Sequence, residues 1–365
     1  MSLSSVAIPC GGPCRFRRQN DRTGPVTRGG WNHDIADTTN LHFATMADVF
    51  PVCQRLGGSA GLRTKLARFP EVGAVQLETV NPNNHGRGIR VFLLYTLALS
   101  SVFYFFIVKS GHLGGGWGAY VGGLMWCPGI AAILTCKHLG RPVSSLGWKW
   151  GNTRYQVACY LIPLFYSALI YALVWLTGIG GFYNKGFVES VLEGFGLGPI
   201  PPWVGITLYF VFTATIGVMK DLPTVLGEEI GWRGFLVPEL AKRNSFATTA
   251  IISGLIWALW HYPILLFADY NGHTPVWYYL PLFTVALPAI TFVWTWMRLK
   301  SGSIWPGVIL HASHNTFIQQ FFDPMTVSRE RTSYIAGEFG AAFFVLACVL
   351  AAYFWSRRRE LSVGD

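Results

Sequence analysis

The chain has 365 residues, of which 52% are hydrophobic and only 13% are charged, about half the charged share of an average soluble domain. Its aromatic content of 15% and mean hydropathy of +0.37 are typical of a protein that crosses a bilayer several times. The net charge of +10 raises the question of nucleic-acid binding. The basic residues, however, fall in the N-terminal segment and at the ends of apolar runs, so the composition excludes a mainly soluble protein and predicts no nucleic-acid partner.

Residues 1–88 differ from the rest of the chain. The stretch CGGPCRFRRQNDRTGPVTRGG is basic and rich in Gly and Pro, with little to bury, which predicts a disordered tail. It is not a signal peptide, since no apolar region follows its arginines. Cys10 and Cys14 lie close together but lack a second pair, so the sequence predicts no disulfide framework and no structural zinc site.

From Val91 onward, apolar runs recur that are long enough to cross a bilayer as helix. They predict an all-α, polytopic membrane protein with a transmembrane domain over 89–356 and a short C-terminal tail over 357–365. The stretch 203–240 is too long for one straight span, and we expect a break at MKDLP (219–223), so that it is kinked or lies partly at the interface. The other predicted spans are 91–109, 117–136, 155–178, 247–268, 277–297, 303–322 and 336–355.

The distribution of Lys and Arg decides how often the stretch 203–240 crosses. The loops 179–202 and 269–276 contain one Lys between them. If 203–240 crosses once, every basic cluster falls on the same side of the membrane, as the positive-inside rule favours. We therefore predict about eight transmembrane helices with both termini cytoplasmic. The basic clusters lie at Arg87 and Arg90, Lys137 to Arg154, Lys242 and Arg243, Arg298 and Lys300, and Arg357 to Arg359.

Three charged side chains stand in the otherwise apolar stretch GEEIGWRGFL. Glu229 and Arg233 are i and i+4, so on a helix they face each other and can form an ion pair. Glu228 points about 100° further around the helix and lacks that partner. One interpretation is a solvated helix end at the membrane interface. The apolar flanks favour a functional site instead, because ionisable residues within a membrane are costly.

Two further polar sets occur in later predicted spans. His261 lies in the aromatic stretch IWALWHYP, and HASHN follows SIWPGVIL. His311 and Asn315 share one helical face, which Gln319 continues, whereas His314 borders that face or points elsewhere. Taken alone, each set can be structural, as a hydrogen-bonded core histidine or a polar seam between helices.

Together these sets contain what hydrolysis of a peptide bond requires. Glu228 and His261 can share a water molecule and accept its proton as it attacks a carbonyl carbon. The His311 N–H and the Asn315 amide can stabilise the resulting oxyanion. The neighbouring Glu–Arg pair would orient the helix and compensate one charge.

The same residues resemble the motifs of a known family. EEIGWR matches the EExxxR motif of the CAAX protease and bacteriocin-processing (CPBP) family, also called abortive-infection proteins, and HASHN matches its HxxxN. WALWH stands where that family has FxxxH, with Trp257 keeping an aromatic side chain at the first position. SSLGWKW and SIWPGVILH are similar too, and the resemblance covers roughly residues 140–325.

The resemblance implies an intramembrane, glutamate-dependent endopeptidase with a conical catalytic cavity between helices and no cofactor or metal. EEIGWRGFLVPEL looks most similar to the bacterial branch, where prenylated substrates are not expected. We therefore expect a peptide or membrane-protein substrate, lipidated or not, in the inner membrane of a bacterium. The catalytic residues implied are Glu228, His261, His311 and Asn315, with Glu229 and Arg233 in support.

Two alternatives remain open at this stage. Glu228, His261 and His311 could supply a His₂Glu set for zinc, as in several zinc hydrolases, although the chain has no HExxH. A non-catalytic role is the other alternative, as a membrane scaffold, an immunity protein or a small transporter. Transporters often show two repeated halves with broken helices, and no internal repeat is visible in this sequence.

Overall fold

The computed structural model describes residues 83–198 and 200–361. The disorder predicted for residues 1–82 lies outside these described residues, whereas residues 83–88 of the predicted tail belong to the first helix. The helices α1 to α4 are Asn83–Ser110, Ala119–His138, Thr153–Leu176 and Lys185–Gly194, and α5 to α7 are Pro202–Ala241, Phe246–Phe267 and Val276–Ser301. The helices α8 to α10 are Trp305–Asn315, Thr332–Ile335 and Ala341–Ser356. Short 3₁₀ segments occupy Gly115–Gly118, Val143–Leu146 and Arg357–Leu361.

Seven helices in the described part of the chain are long and apolar enough to span a membrane, namely α1, α2, α3, α5, α6, α7 and the segment that begins with α10. Helix α8, with the π-helical turn Thr316–Phe322 that continues it, carries the polar HASHN motif and packs against α3, α5 and α7. The prediction of an all-helical membrane protein is confirmed, and seven candidate spans with the polar α8 come close to the predicted eight.

Helix α5 is continuous over 40 residues, about 60 Å at 1.5 Å per residue, which is twice the thickness of a hydrocarbon core of about 30 Å. The break predicted at 219–223 is wrong, because Val218–Glu229 is α-helical through Pro223. The irregularity lies on either side, in the π-helical turns Thr213–Gly217 and Ile230–Leu236. Such turns inside α-helices are frequent at functional sites, and the second follows Glu229 directly.

Glycines allow α2 to pack closely against the EExxxR segment of α5. A Cβ atom on Gly231 would lie 2.4 Å from the Cβ of Pro128, and one on Gly227 would lie 2.6 Å from the carbonyl oxygen of Met125. Real Cβ atoms do not approach this closely, so only glycine lets the two backbones meet here. This contact fixes the depth of Glu228 in the bundle.

One end of the bundle carries the basic clusters and positions α8. The Ile304 amide donates to the Gly147 carbonyl (2.9 Å), and the Trp305 indole donates to the Trp148 carbonyl (2.8 Å). SSLGWKW and SIWPGVILH, which both resemble family segments, are therefore in direct contact. Arg141 also pairs with Glu239 at this end (2.8 Å). The side of the membrane that this end faces stays a prediction.

The opposite end is closed by loops and a small antiparallel sheet. Strand β1 (Gly181–Phe182) pairs with β2 (Thr326–Val327), with Gly181 opposite Val327. The last spanning segment begins at Ala341, later than the predicted residue 336, because Gly337 adopts a left-handed conformation (φ 76°). Residues 336–340 therefore form a loop, which brings Glu338 to the central cavity described below.

Candidate active site

The bundle encloses a cavity between α2, α5, α6, α7, α8 and the start of α10. All four residues predicted to be catalytic line it, although they come from three different helices: Glu228, His261, His311 and Asn315. The remaining lining side chains are mostly apolar or aromatic, with Trp257, Tyr270, Phe283, Trp294 and Phe343 among them. The fold thus gathers residues that are separated by up to 87 positions in the chain (315 − 228).

The Glu228 carboxylate is buried, with 1% of its surface exposed, and it is held by indole donors. Its Oε2 accepts a hydrogen bond from Trp257 Nε1 (2.6 Å), and Trp232 Nε1 lies 3.4 Å from the same oxygen. Trp257 stands at the position of the phenylalanine in FxxxH. It therefore does more than keep an aromatic ring, since phenylalanine has no N–H to donate.

Glu229 and Arg233 form the predicted ion pair behind the cavity wall. Arg233 Nη1 donates to Glu229 Oε1 (2.9 Å), and both side chains are fully buried. The guanidinium carbon lies 4.0 Å from the centre of the Trp257 ring and 5.1 Å from that of Trp294, as in cation–π pairs. His311 Nδ1 lies 2.9 Å from the same Glu229 oxygen. The ion pair therefore fixes the orientation of one cavity histidine.

The hydrogen bonds of His261 establish where its ring carries a hydrogen. Its Nδ1 lies 2.8 Å from the carbonyl oxygen of Trp257. A carbonyl oxygen can only accept, so Nδ1 carries the hydrogen and the Nε2 of a neutral ring is an acceptor. The ring borders the cavity, so this nitrogen is suited to receive a proton from a water molecule there.

Asn315 is buried to 95% and lines the same cavity. Within residues 83–198 and 200–361 its side-chain amide has no hydrogen-bond partner. A buried amide normally forms hydrogen bonds, and the NH₂ group supplies two donors. Asn315 is therefore available to a group that enters the cavity.

Sequence reasoning left His314 undecided and missed Glu338. The structure places both in the cavity wall. His314 bonds to the Tyr166 hydroxyl through Nδ1, and its Nε2 lies 3.8 Å from Glu338 Oε2. Gln319, predicted on the His311 face, donates to Glu338 Oε1 (3.0 Å). The sequence feature that could have indicated Glu338 is its place as an acidic residue directly before an apolar run, in AGEFGAAFF.

The cavity offers about 40 Å³ of space to the centres of water molecules. One water needs about 10–15 Å³ of such space, so a few fit beside the polar groups. Among the described residues, no three His, Cys, Asp or Glu side chains are arranged to hold a metal ion. The geometry thus gives no support to the zinc alternative, which measured metal content must decide.

Comparisons with known proteins bear on the region that forms this cavity. Residues 201–317, which include both Glu228 and Asn315, match the family described as "Type II CAAX prenyl endopeptidase Rce1-like". The chain is also 30% identical over 162 residues to the CAAX prenyl protease 2 of Methanococcus maripaludis, a match that covers 41% of this chain and 57% of that relative. The chain thus spans little more than half the length of the curated relative it matches. The region that forms the cavity is therefore similar to Rce1-like type II CAAX prenyl endopeptidases.

Proposed function

We propose that this protein is an intramembrane endopeptidase that hydrolyses a peptide bond of a membrane-associated substrate. The main support is the cavity within the helical bundle, because it is lined by all four candidate residues: Glu228, His261, His311 and Asn315. A related protease supports the reaction class. The membrane-embedded position of the site suits a substrate that is anchored in, or drawn into, the bilayer.

In the proposed reaction, a water molecule lies between the Glu228 carboxylate and His261 Nε2. As its oxygen attacks the carbonyl carbon of the substrate, these two groups take up its proton. The Trp257 indole donates to Glu228 Oε2 (2.6 Å), so the carboxylate is oriented before the substrate arrives. When the carbon–nitrogen bond breaks, the same proton passes to the leaving amine, and a carboxylic acid and an amine are the products.

The developing oxyanion would be stabilised by donors from α8. The Asn315 amide can donate without losing another partner, and His311 Nε2 is the second candidate donor. Since His311 Nδ1 already donates to the Glu229 carboxylate, donation from Nε2 as well requires the imidazolium form. The Glu229–Arg233 pair would then support catalysis through His311.

The substrate is less defined than the reaction. The archaeal relative is named a CAAX prenyl protease, whereas the EEIGWRGFLVPEL segment resembles the bacterial branch of the family. We propose a peptide or membrane-protein substrate, lipidated or not, in a bacterial inner membrane, with the basic end of the bundle cytoplasmic.

The test compares wild type with Glu228→Gln and His261→Ala in detergent, on a fluorogenic prenylated CAAX peptide and on an unprenylated membrane-peptide library. Wild type should cleave one of them, and both variants should lose activity while keeping the elution volume and melting temperature of a folded protein. Glu193→Gln, at an exposed carboxylate, is the matched control and should remain active. Wild-type activity in either site variant would overturn the assignment of the base.

Two measurements separate the alternatives. Metal content of the same preparations should show no zinc in proportion to activity; cleavage that follows zinc would shift the mechanism to a metal-bound hydroxide. A scaffold or immunity protein would cleave neither set of peptides and would keep its biological effect in Glu228→Gln. Loss of that effect in the variant would favour the endopeptidase.

A further inference from the structure

A second polar group lies in the cavity wall beside the proposed catalytic residues. Glu338 enters from the loop before α10, outside the part of the chain that matches the family. Its Oε1 accepts from Gln319 Nε2 (3.0 Å), and its Oε2 lies 3.8 Å from His314 Nε2, too long for a hydrogen bond. The Tyr270 hydroxyl lies beside it. An ionised carboxylate offers about four acceptor sites, so Glu338 can take a further donor.

The cavity has two carboxylates but no permanent cation among its described lining residues. Glu228 and Glu338 both line it, together with three histidines and no Lys or Arg. The buried Arg233 does not compensate them, because it is paired with Glu229 at 2.9 Å behind the wall. A cleft with one sign of charge and apolar walls attracts groups of the opposite sign. The cavity is therefore suited to a cationic group.

The position of His314 indicates how far from the cleaved bond a cationic side chain of the substrate would bind. His314 follows His311 by three residues on α8, a rise of about 4.5 Å along the helix, and both rings line the cavity. Adjacent residues of an extended peptide are about 3.3 Å apart. A side chain that reaches Glu338 would thus belong to a residue within one or two positions of the bond held at His311 and Asn315.

We propose that Glu338 and His314 form a specificity subsite for a Lys or Arg side chain of the peptide substrate, next to the bond that is cleaved. The subsite rests on the proposed function and narrows its substrate class. An aliphatic side chain at this position would shield the Glu338 carboxylate from water without adding a donor to that of Gln319, and burial of a charge with too few partners is unfavourable. A cationic side chain supplies charge-assisted hydrogen bonds to the same oxygen atoms.

The subsite is tested by binding, separately from cleavage. The probe is a series of fluorescein-labelled membrane peptides in which one Lys is moved along the sequence, each matched by a norleucine peptide. Full-length Glu228→Gln protein in lipid nanodiscs would serve as the receptor, so that the peptide is not consumed. At one position, Lys should bind at least about tenfold more tightly than norleucine, as expected for a hydrogen bond to a charged group.

Three further substitutions, each made in the Glu228→Gln protein, test whether Glu338 is responsible for the preference for Lys over norleucine. Glu338→Gln should abolish the preference for Lys, and Glu338→Asp, which keeps the charge, should retain part of it. Glu330→Gln, at an exposed carboxylate in the same loop region, should leave the preference unchanged. A Lys preference that survives Glu338→Gln, equal binding of all Lys and norleucine pairs, or no binding of any peptide would each overturn the subsite.

These experiments distinguish failure of the proposed subsite from failure of the proposed endopeptidase activity. If the Lys peptides bind selectively but the protein with native Glu228 cleaves none of them, the subsite holds and the enzymatic proposal fails. If the native protein cleaves Lys and norleucine peptides with equal kcat/KM and binds them equally, the subsite is wrong and the enzymatic proposal holds.

Discussion

The indole of Trp257 offers the sharpest test of how the site is built. Its N–H donates to Glu228 Oε2 at 2.6 Å, and its ring lies 4.0 Å from the Arg233 guanidinium. The substitution Trp257→Phe introduces the residue usual in the resembling family's FxxxH motif. It removes the donor to Glu228 and keeps an aromatic ring near Arg233. The two contacts of Trp257 can therefore be separated with one change.

The expected decrease in kcat/KM follows from the loss of one hydrogen bond, from the Trp257 indole to Glu228. A hydrogen bond to a charged group contributes about 1.5–3 kcal/mol, and about 1.4 kcal/mol corresponds to a tenfold change in rate. If the bond positions Glu228 for its work as a base, kcat/KM should fall by about 10- to 100-fold. Activity should not vanish, because the resembling family usually has phenylalanine here.

The assay is kcat/KM on the best peptide substrate, measured alongside the melting temperature in detergent. Replacing Trp257 with benzothienylalanine, which has nearly the same shape but no N–H, should reproduce the loss of Trp257→Phe. Trp232→Phe is the matched control, because its indole nitrogen is 3.4 Å from the same oxygen and should contribute much less. Unchanged kcat/KM in both Trp257 replacements would refute the positioning role.

Three further predictions concern the surroundings of the site. Arg233→Met leaves Glu229 with one of its two donors and should cost about 3–5 kcal/mol of stability, as for a broken buried ion pair, seen as a lower melting temperature. Gly231→Ala places a Cβ 2.4 Å from that of Pro128 and should cost about 1–3 kcal/mol through overpacking, measured in the same way. Asn315→Ala removes one oxyanion donor and should lower kcat by about 100- to 1000-fold with little effect on melting; an unchanged kcat would exclude Asn315 from the oxyanion site.

The helical architecture could be read from the sequence because a bilayer imposes a simple rule. Apolar runs of about 20 residues must be helical there, since the hydrocarbon offers no hydrogen bonds to an open backbone. The predicted spans accordingly lie within a few residues of α2, α3, α6 and α7, and α1 begins eight residues before its predicted span. The last span was placed too early, because apolar composition did not reveal the left-handed turn at Gly337.

The path of α5 was harder to predict. Lys220, Asp221 and Pro223 suggested a break, yet the helix continues through them. The Thr316 hydroxyl and Gln320 amide donate to Asp221 Oδ2 (2.8 and 2.6 Å), so a neighbouring helix satisfies the carboxylate. Such compensation between helices cannot be inferred from the local sequence of one of them.

Contacts within one motif were predictable where the helical spacing alone places two side chains on the same face. The i,i+4 rule alone gave the Glu229–Arg233 pair, which the structure confirms at 2.9 Å. Glu338 and its contact with His314 were not predictable in this way. They meet only because a loop turns back into the bundle, and no periodicity in the sequence records that turn.

The three charges of EEIGWR occupy different positions with respect to the cavity, and this difference explains why they are tolerated. Glu229 and Arg233 face away from the cavity and neutralise each other, with aromatic rings covering the guanidinium. Glu228 faces the cavity, where indole donors and the space for water compensate it. A purely structural ion pair would not need this second carboxylate, whose burial is unfavourable by several kcal/mol unless it is compensated. In the proposed mechanism, the pair would hold His311 in place and the additional carboxylate would act as the base.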